Sequence, residues 1–103
     1  MTNLKVLVIG QGGREHALVK ALKSSPSVSE VHCAPGNDGI ALEALCHPLP
    51  GINGASVIEL CRRLHFDLVV VGPEAPLAAG LADELRAEGI LVFGPSQAGA
   101  QLE

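Results

Sequence analysis

Leu4-Lys5-Val6-Leu7-Val8-Ile9-Gly10-Gln11-Gly12-Gly13 is the stretch whose reading decides the fold. A nearly unbroken apolar, β-favouring run stops at a cluster of glycines. A continuous run of this length suits a strand buried on both faces, as in a parallel sheet covered by helices. From Arg14 to Ser24 the apolar residues Ala17, Leu18, Ala21 and Leu22 recur at helical spacing. Lys20 and Lys23 stand near the end of that helix, where cations suit its dipole, and Pro26 closes it. Strand, glycine turn and helix together open an α/β unit.

The same alternation continues outward. Residues 28–34 predict a second strand, closed by the turn formers Pro35-Gly36-Asn37-Asp38-Gly39. Residues 40–53 are less regular, with a helical turn expected over 40–45 and a short strand over 46–49. Helical periodicity returns over 54–65, with Val57, Ile58, Cys61 and Leu64 on one face. Residues 67–72 form another buried-type strand. Leu77, Ala78, Leu81, Ala82 and Leu85 make the next helix face, Gly89 caps it, and 90–93 is a last strand. This order predicts a parallel sheet with helices on both faces. With right-handed crossovers it is a doubly wound, Rossmann-like α/β fold. Ser96 opens a further helix containing Ala98, Ala100 and Leu102, in which the chain ends at Glu103. That ending predicts that the domain is the first part of something longer.

Composition narrows the class. A length of 103 residues allows a single domain. Hydrophobic residues at 48% and charged residues at 17% exclude intrinsic disorder. Phe66 and Phe93 are the only aromatic residues, which leaves no platform for stacking nucleic-acid bases. A net charge of −4 argues further against a nucleic-acid partner. No apolar run is long enough to span a membrane, and no export leader opens the chain. Three cysteines, Cys33, Cys46 and Cys61, fit a reducing, cytoplasmic setting better than a disulfide framework.

A doubly wound sheet binds its ligand at the carboxyl ends of the strands, where the strand order reverses. Two loops are expected to meet there: Gly10-Gln11-Gly12-Gly13-Arg14-Glu15 and Gly72-Pro73-Glu74-Ala75-Pro76, with Gly94-Pro95-Ser96 on the same rim. The first resembles a dinucleotide fingerprint only in part. Glu15 stands where that fingerprint has a small residue, and no acid follows the second strand. Both departures oppose a nicotinamide-binding dehydrogenase. The glycine amides at a helix N-terminus suit a phosphate or another anion, with Arg14 adding charge. The plain alternative is a tight turn in which the glycines serve packing alone. Glu15 reads as a complement to the helix dipole, and His16, opposite the apolar face, reads as solvated rather than as a general base. Glu74, fixed between two prolines, is placed to accept hydrogen bonds from sugar hydroxyls or an amine, or is a solvated loop acid. Cys46-His47 and Cys61-x-x-x-His65 match no standard zinc spacing, so no metal site is expected.

Four collinear motifs carry a more specific signal. Residues 6–17, the run Ala34-Pro35-Gly36-Asn37-Asp38-Gly39, the run Val71-Gly72-Pro73-Glu74-Ala75-Pro76-Leu77, and Phe93-Gly94-Pro95-Ser96 with Ala100-Gln101-Leu102-Glu103 resemble the signatures of the glycinamide ribonucleotide synthetase family. That family more often has Ala where Asp38 stands, and residues 45–54 match only loosely. The resemblance implies the Rossmann-like domain preceding an ATP-grasp unit, in a ligase of de novo purine synthesis. It also implies the substrates phosphoribosylamine, glycine and ATP, an acyl-phosphate of glycine as intermediate, and Mg²⁺ on the nucleotide. ATP and Mg²⁺ would be held by the ATP-grasp part, on which this domain would pack, so no cofactor or catalytic residue is expected within the 103 residues. By position, binding of phosphoribosylamine would fall to Gly10, Gly12, Gly13, Arg14, Glu15, Asn37, Gly72, Pro73 and Glu74. A non-enzymatic ligand-binding module on the same fold is the remaining alternative.

Overall fold

β1 (Leu4–Gly10) takes the centre of the sheet because its side chains are apolar in both directions. Val6, Leu7, Val8 and Ile9 are completely buried. The computed structural model describes residues 3–49, 51–72 and 78–94. In these, β1 is followed by α1 (Gly13–Lys23), β2 (Val28–Pro35), α2 (Asp38–Ala41), β3 (Leu45–Cys46), α3 (Gly54–Leu64), β4 (Leu68–Val71), α4 (Ala78–Ala87) and β5 (Val92–Phe93). The strands form one sheet in the order β3-β2-β1-β4-β5, and every pairing is parallel. The doubly wound, Rossmann-like class expected from the sequence is therefore the observed one.

Alternate residues of β1 feed two cores. Leu7 and Ile9 pack with Val57, Leu60 and Cys61 of α3 and with Leu81, Ala82 and Leu85 of α4. Val6 and Val8 pack on the other face with Val19 of α1 and Ile40 of α2. The helices of the β1-to-β3 half thus cover one face, and those of the β4-to-β5 half cover the other. Right-handed crossovers running in opposite directions from β1 require this division. It puts the reversal of strand order between β1 and β4.

Caps fix where the helices start. Asn37 Oδ1 accepts from the Ile40 amide at 2.8 Å, and Asn53 Oδ1 from the Ser56 amide at 2.9 Å. α3 ends on His65 in the left-handed conformation, with φ of 55°.

Several local expectations need correction. The inward stripe of α1 is Glu15, Leu18, Val19 and Leu22, whereas Ala17 and Ala21 are exposed. The i, i+3, i+4, i+7 spacing was present, but counting Glu15 as polar shifted the apparent face. The helical turn expected over 40–45 forms earlier, at α2, because Asn37 caps it, and Asp38 sits in its first turn where an acid suits the dipole. The strand expected over 46–49 is β3, one residue earlier and two residues long. The last strand is likewise only Val92–Phe93, although Leu91 still accepts a bond from the Val69 amide at 3.0 Å. The helix expected from Ser96 lies outside the described residues.

Candidate functional site

The carboxyl ends of β1, β2 and β4 are tied together by backbone hydrogen bonds. The Gly36 amide donates to the Gly10 carbonyl at 3.0 Å, and the Gly72 amide donates to the Ile9 carbonyl at 3.0 Å. Gly72, the one described residue of the loop after β4, therefore lies against the end of β1 at the reversal point. Asn37 joins them from β2: its Nδ2 donates to the Gln11 carbonyl at 2.6 Å while its Oδ1 caps α2. Both ends of the Asn37 amide are thus engaged with backbone.

Glu15 lies inside this junction. Its side chain is only 1% exposed, although it belongs to the first turn of a surface helix. Oε1 accepts from the Gln11 amide at 3.2 Å and the Gly12 amide at 3.1 Å. The second bond is half of a capping box, in which the N3 residue reaches back to the N-cap amide; Gly12, having no side chain, returns nothing. Oε2 is buried and has no hydrogen-bond partner among the described residues. Gly10 and Gly72 leave the space the carboxylate fills. A Cβ on Gly72 would come within 2.6 Å of Glu15 Cδ, and one on Gly10, where φ is +140°, would also collide with this side chain. Two of the amides expected to receive a ligand anion therefore already face an anion of the protein itself.

The other expected residues are distributed around this seat. Gly12 and Gly13 form the turn into α1, and Arg14 is exposed on the first turn. His16 is not simply solvated. Its Nε2 lies 2.8 Å from Glu43 Oε2, which ties α1 to the segment after α2. Pro73, Glu74 and the rim at Pro95-Ser96 lie outside the described residues.

A second polar cluster escaped the sequence reading. His32 of β2 is 5% exposed, with Nδ1 2.7 Å from His47 Nε2 and Nε2 3.1 Å from Glu30 Oε1. The two rings lie within 7° of parallel with centroids 5.0 Å apart. Together with the 2.7 Å nitrogen contact, that separation means imidazoles meeting edge to edge in nearly one plane. Phe66 packs edge-on against His32, and Lys5 Nζ lies 5.2 Å from the Phe66 centroid. Burial, followed by the positive fields of His32, Arg63 and Lys5, holds the His47 pKa below its usual value. The inward register of His32 on a buried strand was the available signal. Burial pushes the Cys33 thiol up to about 12, with help from Cys46, and the Cys61 thiol to about 11. Among the described residues no three His, Cys, Asp or Glu side chains stand together as a metal site.

A concavity of about 720 Å³ lies at the opposite end of the sheet. It is lined by residues such as Arg62, Phe66, Asp67, Glu88 and Leu91. It is a groove at the amino ends of β4 and β5, away from the end where such sheets bind ligands. No helix among the described residues is long and apolar enough to cross a membrane.

Sheet order, crossover faces and the glycines at the β1–β4 switch point define a doubly wound, Rossmann-like α/β domain. Within that class, a family model described as phosphoribosylglycinamide synthetase, N domain, matches residues 4–103, and the chain belongs to this family. It is 58% identical over 100 residues to a phosphoribosylamine–glycine ligase of Brucella melitensis, covering 97% of this chain and 23% of that protein. It is 57% identical over 100 residues to a protein of the same name from Streptomyces coelicolor, covering 97% and 24%. The crystal structure of phosphoribosylamine–glycine ligase from Thermotoga maritima superposes with a TM-score of 0.60 at 28% identity, over 97% of this chain and 22% of that one. The chain thus spans about a quarter of the length of these relatives. The resemblance drawn from the four motifs holds.

Proposed function

We infer that the chain is the substrate-binding N-terminal part of an ATP-dependent ligase joining phosphoribosylamine to glycine in de novo purine synthesis. The family match over residues 4–103 carries this reading. The approach of Gly72 to the end of β1 at the switch point supports it, because that is where a doubly wound domain holds a small ligand.

In this reading the glycine turns bring backbone close to the sugar, and Glu74 accepts hydrogen bonds from its hydroxyls or its amine. Gly10, Gly12, Gly13, Arg14, Asn37, Gly72 and Pro73 shape the rim, and Glu15 holds the β1 loop from beneath. ATP and Mg²⁺ do not fit the described residues. The Gln11 and Gly12 amides face Glu15 rather than open space, and no acidic or histidine cluster of metal-binding size is present among them. In this reading the nucleotide and metal sites, and the surface on which this domain packs, belong to an ATP-grasp part of the ligase, in a cytoplasmic setting.

The test is Glu74→Ala in the full-length ligase that contains this chain. The KM for phosphoribosylamine should rise more than that for ATP; equal or absent changes would remove Glu74 from the site. The 103-residue chain by itself should show no glycine-dependent ATP hydrolysis.

A further inference from the structure

We propose that Glu15 is a built-in anion that sets the ligand preference of the β1 loop, excluding phosphate and pyrophosphate from the glycine turn. A glycine-rich turn at a helix N-terminus ordinarily receives phosphate, because its amides point outward and the dipole favours negative charge. Here the carboxylate of Glu15 accepts from two of those amides, at 3.2 and 3.1 Å. It is 1% exposed, so water does little to screen it. A second anion brought to within about 4 Å of it would lose roughly a thousandfold in affinity, even at an effective dielectric of about 20.

The surrounding glycines belong to the same device. A Cβ on Gly10 or Gly72 would run into the Glu15 side chain, so both positions make room for the carboxylate. In a dinucleotide fingerprint the glycines instead make room for the pyrophosphate and for close packing of helix on strand. With the substitution Glu15→Gly, the six residues that start at Gly10 would read G-x-G-x-x-G in full. One side chain thus separates this turn from a dinucleotide loop. The unpartnered Oε2 lies on the Gly72 side of the seat, where a Cβ would stand 2.7 Å from it. The charge preference at the switch point is thereby shifted toward donor groups. For the ligand inferred above, and only if that reading holds, the sugar end rather than the phosphate lies over β1.

The experiment titrates inorganic pyrophosphate into the ¹⁵N-labelled 103-residue chain and follows the Gln11 and Gly12 amide resonances, which needs no ligase activity. In the unmodified chain these resonances should stay fixed to millimolar pyrophosphate. In Glu15→Gly they should move, with an affinity at least tenfold above that of the unmodified chain. Movement in the unmodified chain overturns the proposal, as does a well-dispersed Glu15→Gly spectrum in which they stay fixed. Where Glu15→Gly does not fold, Glu15→Gln keeps the size of the side chain and removes its charge. The same gain is then expected, and its absence overturns the proposal equally.

Discussion

Gly72→Ala tests the packing of the β1–β4 junction directly. The added Cβ would stand 2.6 Å from Glu15 Cγ and Cδ and 2.7 Å from Oε2, where ordinary contacts are 3.4–4 Å. Glu15 cannot retreat toward β1, because a Cβ at Gly10 would already collide with it, so no slack exists on that side. It must swing off the Gln11 and Gly12 amides or push β4 away from α1. Overpacking alone costs about 1–3 kcal/mol. Loss of the two amide bonds adds about 1 kcal/mol, since Gln11 is exposed enough for water to replace part of them. A total of about 2–4 kcal/mol is expected, which lowers the melting temperature by roughly 10–25 °C. Urea unfolding followed by circular dichroism measures it, in a double-mutant cycle with Glu15→Ala. In the Glu15→Ala background the same substitution should cost at least about 1 kcal/mol less. Equal costs in both backgrounds, within about 0.5 kcal/mol, would refute the seat as described.

Three further outcomes follow from caps and charges. Asn37→Ala should destabilise by about 1.5–2 kcal/mol, because it removes both the α2 cap and the bond to the Gln11 carbonyl, and Asn37→Asp should recover the cap portion in urea unfolding. His65→Gly should stabilise the fold by about 0.5 kcal/mol, read as a higher urea midpoint, since His65 holds φ of 55° and the relief of about 1–2 kcal/mol is partly offset by glycine's freedom when unfolded. Burial and positive neighbours keep the His47 pKa below its usual 6.5, so the unfolded chain binds this proton more readily than the folded one. The contribution of His47 to stability is full above about pH 6.5 and is lost as the pH falls through the lower folded value. Urea midpoints at about pH 7 and about pH 5 should therefore differ less in His47→Gln than in the unmodified chain; an identical difference would refute this.

The sheet was legible because its strands are apolar on both faces, and β1, β2 and β4 appear within one or two residues of their expected bounds. The edges were less legible. Two-residue strands such as β3 and β5 carry no periodicity, and their length is set by what β2 and β4 offer for pairing. At the site, the approach of Gly72 to the Gly10 end of β1 followed from topology. The burial of Glu15 did not, because a carboxylate in the first turn of a helix ordinarily faces water, and only the paired glycines opposite it make room below. Its position in the fingerprint was noticed as a departure, yet the departure alone does not say that the carboxylate turns inward. The His32–His47 pair was hidden for a related reason: separated by 15 residues, it depends on β3 lying beside β2.

The central place of β1 also has a consequence for how the chain is made. One flank of β1 is closed early, when Val28 pairs with Leu4. The other stays open until Leu68–Val71 emerges; Lys5 waits 62 residues for its bond to Asp67. At ribosomal speeds of about 5–20 residues per second, this interval is on the order of 3–12 s. For that time the nascent chain carries an unpaired edge along Val6-Leu7-Val8-Ile9, its most apolar segment, which a neighbouring strand can capture. The hazard in producing this domain therefore falls between the translation of β2 and that of β4, before the second native partner of β1 exists.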